Sequence, residues 1–87
     1  MGQVAVTLRV MPQSVDEDIN SIKEEIEKIR LGDIRLKEIK IESMAFGLKA
    51  LKVLYIMPDH GGTDRIEDAI KSVRGVAEVE TGEITLI

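Results

Sequence analysis

The amino-acid sequence predicts an α+β fold in which four strands and two helices follow one another in the order βαββαβ. Four segments carry the short, β-branched apolar runs that are typical of strands, and two segments repeat apolar residues at helical spacing. A glycine or a proline stands at each predicted boundary between these segments. The chain has 87 residues, which is the size of one domain, so we expect residues 1–87 to form a single unit.

The first strand and the first helix are predicted before Gly32. Apolar residues alternate with other residues over positions 4–10, as in a half-buried strand, and Pro12 ends this run. Ser14 predicts the helix start, because its hydroxyl can cap the first turn while Glu17 reaches back to form a capping box. Gly32 predicts the helix end. The apolar residues of this helix recur along one stripe, at Val15, Ile19, Ile22, Ile26 and Ile29.

The second and third strands are predicted on either side of residue 46. Alternate apolar residues over positions 34–41 change parity midway, which predicts a β-bulge near Lys37–Glu38. The third strand, Leu51–Met57, is almost continuously apolar, as is typical of a central strand, and Pro58 ends it.

The second helix and the fourth strand complete the pattern. Thr63 opens the helix, Gly75 ends it, and Val76–Ile87 forms the last strand, with a kink or turn at Thr81–Gly82. Two such halves form the ferredoxin-like arrangement, in which right-handed crossovers place both helices on one face of a four-stranded antiparallel sheet. The other sheet face is then free to contact a partner. The apolar face of this helix comprises Ile66, Ala69, Ile70 and Val73.

Composition excludes several classes of function. The net charge of −4 and the aromatic fraction of 2% argue against nucleic-acid binding, which needs clustered cations or stacking platforms. The absence of cysteine excludes disulfides, thiolate metal sites and heavy-metal carriage. No apolar run approaches the ~20 residues that span a bilayer. We therefore expect a cytoplasmic protein that uses no cofactor and contacts neither membrane nor nucleic acid.

No group of residues predicts catalysis or metal binding. His60 is the only histidine and stands beside Gly61–Gly62, so we interpret it as a solvated loop residue. The same loop lacks the motifs of a phosphate-binding loop. The acidic run Asp16–Asp18 lacks calcium-loop spacing and is better explained as charge that complements a helix dipole. We expect neither an enzyme nor a metal site.

The segment Ser43–Leu51 (SMAFGLKAL) holds the only phenylalanine, Phe46, followed by Gly47. Two interpretations are open. Phe46 either folds back over the end of the core, which is the commoner place for phenylalanine, or projects from the sheet edge as an aromatic anchor flanked by Lys49 and Lys52. The residues alone favour the first interpretation.

Two other functional classes fit the same fold. A ferredoxin-like RNA-binding domain needs aromatic residues on its central strands, where only Tyr55 is available, and a basic sheet. A small-ligand regulatory domain would use a dimer interface and the loop Asp59–Gly62, and the fold alone does not exclude it.

Three motifs in register over residues 3–87 resemble the archaeal elongation factor 1-beta family of guanine-nucleotide exchange factors. Ala45–Leu51 (AFGLKAL) looks like the family pattern of an aromatic between small residues, followed by an aliphatic residue, a lysine and a leucine. Val10–Pro12 with the acidic Asp16–Asp18 looks like the end of its first strand and the start of its first helix. Asp59–Asp64 looks like its acidic loop before the second helix.

The resemblance implies a protein that binds elongation factor 1-alpha, a GTPase, and promotes exchange of its GDP for GTP. Phe46 would match the aromatic that inserts into a pocket of the GTPase, Gly47 would hold the loop, and Lys49 and Ala45 would support the contact. Eukaryotic members of this family end in a lysine and an aliphatic residue, and that lysine reaches the magnesium site of the GTPase. Leu86 stands in its place here, followed by Ile87. Three alternatives for magnesium displacement are therefore open: Leu86 or Ile87 acts sterically, the phosphate loop of the GTPase is deformed, or another lysine substitutes.

Overall fold

A computed structural model describes residues 2–59 and 62–87. His60, predicted as a solvated loop residue, and Gly61 lie outside the described residues. Neither helix of the described part of the chain is long and apolar enough to cross a membrane. The elements follow the predicted order βαββαβ: β1 (Gln3–Pro12), α1 (Ile19–Lys28), β2 (Arg35–Ser43), β3 (Lys49–Pro58), α2 (Thr63–Lys71) and β4 (Val76–Leu86).

The four strands form one antiparallel sheet with the order β2-β3-β1-β4. This is the ferredoxin-like order, and it places the apolar strand β3 at a central position, as predicted. Strand β1 is the other central strand, so β2 and β4 are the edges. Because sequential strands β2 and β3 form a hairpin, their connection lies at the same end of the sheet as Pro12, the last residue of β1.

The core lies between the sheet and the two helices. Alternate residues of β1 are buried while their neighbours are not, which is the period that a strand covered on one face must show. The same alternation in β3 buries Leu51, Val53, Tyr55 and Met57. Each helix contributes buried isoleucines to this core. They are Ile19, Ile22 and Ile26 of α1, and Ile66 and Ile70 of α2.

Helix α1 begins at Ile19 rather than at Ser14, so the predicted capping box is wrong. The Asp18 carboxylate caps the helix by accepting hydrogen bonds from the backbone N–H of Asn20 at 3.0 Å and of Ser21 at 3.3 Å. A further hydrogen bond from the Ser21 hydroxyl helps to hold the pKa of Asp18 below its ordinary value. Val15, predicted on the buried stripe, is therefore outside the helix and is 58% exposed.

Both helices end before the glycines that predicted their ends. Helix α1 ends at Lys28 and α2 at Lys71, while Gly32 and Gly75 lie in the turns that follow, with φ of 65° and 94°. The glycines therefore provide left-handed turn positions between the elements rather than the last helical residue.

Both predicted strand irregularities are confirmed. The pairing of β2 with β3 shifts between Leu36 and Glu38, which leaves one extra residue in β2. In β4, Thr81 pairs with Leu8 and Ile84 pairs with Val6, so three steps along β4 match two along β1.

Candidate protein-interaction surface

The hairpin between β2 and β3 closes with a tight turn centred on Phe46 and Gly47. The backbone N–H of Met44 donates to the carbonyl oxygen of Leu48 at 2.7 Å, and the N–H of Leu48 donates to the carbonyl oxygen of Ala45 at 3.3 Å. The φ angles of Phe46 and Gly47 are 61° and 76°. Two central residues with positive φ define the type I′ turn, the geometry that matches the right-handed twist of the strands.

The Phe46 side chain projects into solvent and is 96% exposed. The interpretation of Phe46 as a cover for the core is therefore wrong. Phe46 is exposed because of where the turn lies. Leu51 and Val10, which pair with each other, are the core residues of β3 and β1 nearest to the turn, and the hairpin extends beyond them.

The backbone of Phe46 is also strained. Phe46 is the only described residue other than glycine with a positive φ. A left-handed conformation costs a residue with a Cβ roughly 1–2 kcal/mol, and an exposed side chain recovers none of this through burial. The turn would be more stable with asparagine or glycine at this position.

The structure brings four of the predicted site residues together in this turn. Ala45, Phe46, Gly47 and Lys49 are all exposed, and Lys49 pairs with Ser43 where the hairpin begins. We call these four residues the turn cluster. A groove of about 240 Å³ lies between this hairpin and the segment that joins β1 to α1, and its lining includes Gly47 and Lys49.

Sequence reasoning missed Val15, which lines the same groove from the other side. Its spacing to Ile19 matched a helical stripe, so it was predicted to be buried. The signal that could have found it lies in the topology. In the predicted sheet, the end of β1 and the β2–β3 hairpin share one end, so the residues after Pro12 must lie near the hairpin.

The other two predicted site residues lie at the opposite end of the sheet. Leu86 pairs with Val4, near the start of β1, and the N–H of Ile87 donates to the carbonyl oxygen of Gln3 at 3.0 Å. Leu86 and Ile87 are 74% and 71% exposed, and Ile84 on the same strand is also exposed. We call Ile84, Leu86 and Ile87 the C-terminal cluster. Counted along β1, it lies roughly 25 Å from the turn cluster.

The sheet face away from the helices carries charges of both signs. Lys52 lies between two cross-strand partners of like charge, Lys40 on β2 and Arg9 on β1. Lys40 contacts Glu38 at 3.3 Å, and Arg9 contacts Glu42 at 3.9 Å. Binding to a phosphate backbone requires a uniformly basic surface. The acidic partners Glu38 and Glu42 interrupt the basic residues on this face, so the face does not meet that requirement.

Neither of the two aromatic side chains lies on this open face. Tyr55 is 2% exposed on the helix side of β3, and Phe46 lies in the turn. The open face therefore lacks the stacking platform that a ferredoxin-like RNA-binding domain uses. The Tyr55 hydroxyl is buried and has no hydrogen-bond partner among the described residues, and this burial raises the pKa of Tyr55 above its ordinary value.

The chain was also compared with known proteins. A family model described as the EF-1 guanine nucleotide exchange domain matches residues 5–87. Relatives named elongation factor 1-beta include those of Methanosphaerula palustris, 42% identical with 99% of both chains covered, and Archaeoglobus fulgidus, 38% identical with all of both chains covered. That of Staphylothermus marinus is 39% identical, with 92% of this chain and 91% of the relative covered. The chain therefore belongs to the EF-1 guanine nucleotide exchange domain family.

Proposed function

We propose that this protein binds elongation factor 1-alpha and promotes the exchange of its bound GDP for GTP. The family match and the archaeal relatives named elongation factor 1-beta support this role. The protein acts by binding and not by covalent chemistry. Residues 1–87 serve as one exchange domain that works in the cytoplasm without a cofactor and without direct contact with nucleic acid or membrane.

The observation that carries this proposal is the exposed, strained aromatic of the turn cluster. A side chain that is 96% exposed at the tip of a hairpin presents nearly all of its apolar surface to a partner. Aromatic residues of this kind often dominate binding when they enter a pocket, since they bury a large area and lose little side-chain freedom. Phe46 enters a pocket of the GTPase, while Gly47 maintains the turn and Ala45 and Lys49 support the contact around it.

Exchange follows from thermodynamic linkage. A partner that binds the nucleotide-free GTPase more tightly than the GDP-bound form must lower the affinity for GDP by the same factor. The exchange factor therefore needs contacts that fit only the distorted nucleotide site. A difference of about 1.4 kcal/mol between the two states weakens GDP binding tenfold.

The C-terminal cluster supplies the second contact. The resemblance implies that Leu86 takes the place of the lysine of eukaryotic members, so the side chain at this position is apolar rather than charged. Leu86 and Ile87 instead act sterically, by deforming the region that holds nucleotide and magnesium. Their 74% and 71% exposure leaves both side chains available for such a contact.

The test is stopped-flow release of a fluorescent GDP analogue from the cognate GTPase. Addition of this protein should accelerate release until the rate saturates, because a defined complex forms. Phe46→Ala should weaken the acceleration and leave the thermal unfolding midpoint almost unchanged, since the side chain is exposed. An absence of acceleration at saturating wild-type protein would falsify the proposed function.

A further inference from the structure

A second apolar residue occupies the corner of a turn beside the turn cluster. In the turn Ser14–Glu17, the N–H of Glu17 donates to the carbonyl oxygen of Ser14 at 3.3 Å, and the N–H of Asp16 donates to the Ser14 hydroxyl at 3.2 Å. Val15 is the residue after Ser14 and is 58% exposed. Phe46 holds the same position in its own turn.

The turn itself gives no reason for a valine at this corner. Proline, asparagine, aspartate, serine and glycine are the residues that turn geometry favours, and a branched apolar side chain adds nothing to the hydrogen bonds of Ser14. Single exposed apolar residues are common on protein surfaces. The position of Val15 matters because it lies next to the site that Phe46 already defines.

Val15 and the hairpin line one groove, of about 240 Å³. Val15 and Asp18 contribute to one wall, and Gly47 and Lys49 contribute to the other. Val15 therefore adds exposed apolar surface to a concave site that has the Asp18 carboxylate on the same wall and the Lys49 ammonium group on the opposite wall.

Both walls of the groove are fixed to the body of the protein. The segment after β1 is held by a hydrogen bond from the N–H of Gln13 to the carbonyl oxygen of Gly75 at 2.9 Å. Its other end is held by Asp18, which caps α1. The opposite wall belongs to the hairpin of β2 and β3. A fixed groove needs little ordering when a partner binds, which favours affinity.

We propose that Val15 is a further apolar contact with the same GTPase, in addition to Phe46 and the C-terminal cluster, and that the groove between Val15 and the turn cluster receives a partner segment. The inference rests on the proposed function. The segment carries an apolar side chain that packs against Val15 and a basic group that faces Asp18, because Val15 and Asp18 line the same wall of the groove. Val15 thus contacts the GTPase within the groove, while Phe46 contacts it from the tip of the neighbouring hairpin.

Val15→Thr tests this inference because it keeps the branched shape and replaces one methyl group with a hydroxyl. Both the affinity for the nucleotide-free GTPase, by calorimetry, and the concentration of exchange factor that half-saturates GDP release are measured. Loss of a buried methyl contact should weaken both by about fivefold and leave the maximal release rate unchanged.

The matched control is the same substitution at Val73, which lines a different groove, between α1 and α2. Val73→Thr should leave affinity and half-saturation unchanged. Thermal unfolding of both variants checks that each is folded at the assay temperature.

The outcomes separate this inference from the proposed function. If Val15→Thr binds like wild type while Phe46→Ala binds weakly, the groove inference is overturned and the exchange function stands. If wild type binds but does not accelerate GDP release, the exchange function fails, and the affinity of Val15→Thr still decides the role of the groove. If wild type does not bind at all, both are overturned.

Discussion

Phe46 and Gly47 share one turn and both have positive φ, but only the glycine adopts this conformation without strain. The aromatic residue is therefore placed where it opposes folding locally and gains almost nothing from burial. Strained, exposed residues of this kind are concentrated at functional sites, where a required geometry outweighs a loss of stability. The following predictions separate the effects on stability from the effects on exchange.

Phe46→Asn should stabilise the protein and weaken exchange. Asparagine tolerates the left-handed conformation, so the free energy of unfolding should rise by about 1 kcal/mol and the melting temperature by several degrees. Acceleration of GDP release should be largely lost, because the aromatic contact is gone. Urea unfolding and stopped-flow release provide the two measurements. A destabilisation of ~3 kcal/mol would instead indicate that Phe46 is a core residue.

Gly47→Ala and Gly32→Ala form a matched pair. Both glycines have positive φ, 76° and 65°, and a Cβ added to either would meet no atom of the described part of the chain within 4 Å. Each substitution should lower the free energy of unfolding by about 1 kcal/mol through backbone strain alone. Only Gly47→Ala should reduce exchange, because it displaces Phe46. If the two variants accelerate GDP release equally, Gly47 has no specific role in the contact with the GTPase.

Leu86→Ser and Thr85→Ala test the C-terminal cluster. Leu86 pairs with Val4 and faces the helix side of the sheet, while Thr85 pairs with Ala5 and faces the opposite side. Both residues are exposed, so each variant should unfold within about 0.5 kcal/mol of wild type. Leu86→Ser should slow GDP release several-fold at saturation, and Thr85→Ala should not. The reverse pattern would place the contact on the open face of the sheet.

Tyr55→Phe should change how stability depends on pH. Burial raises the pKa of Tyr55 above its ordinary value of 10.0, so the unfolded chain loses the phenol proton at a lower pH than the folded protein. The free energy of unfolding of wild type should therefore be fully retained below about pH 10 and fall as pH rises through the pKa of the folded protein.

Urea unfolding at a series of alkaline pH values should show this decline to be smaller in Tyr55→Phe than in wild type. Below pH 10, the variant should be more stable by about 1 kcal/mol, because it removes a buried hydroxyl for which residues 2–59 and 62–87 provide no hydrogen-bond partner. The chain has one tyrosine and no tryptophan, so ultraviolet absorbance follows this phenol alone. Titration of folded Tyr55 at its ordinary pKa would contradict the prediction.

The sequence predicted the order of the elements and both strand irregularities because each has a strong local signal. The parity change around Lys37–Glu38 is visible in the apolar pattern, and the observed pairing shifts there. The almost unbroken apolar run of β3 likewise predicted its central position, because continuous apolar runs are typical of strands whose side chains are largely covered on both faces.

The start of α1 could not be predicted because two residues offer the same chemistry. Ser14 and Asp18 both carry an oxygen that can accept backbone N–H groups, and Val15 is spaced from Ile19 as in a helix. The structure uses both oxygens, Ser14 for a turn and Asp18 for the helix cap. Whether the helix starts at Ser14 or at Asp18 depends on contacts with residues that are distant in sequence, such as the hydrogen bond from Gln13 to Gly75. A local sequence pattern does not contain this information.

The exposure of the Phe46 side chain could not be predicted from the residues alone, for a related reason. Glycine after Phe46 indicated a turn, but statistics for phenylalanine favour burial, and the spatial limit of the core is a tertiary property. The resemblance to a known family pointed to exposure, and the structure agrees. Contact of Phe46 with a GTPase, by contrast, stays a prediction.

The bulge in β4 decides which way the last residues of the chain point. With three steps from Thr81 to Ile84 against two from Leu8 to Val6, Leu86 falls on the helix side. If the strand ran regularly from Thr81, Leu86 would face the opposite side, because side chains alternate with every residue. The lysine that the resemblance assigns to eukaryotic members would therefore lie on the same side of the sheet as Leu86 only if their last strand also contains one extra residue.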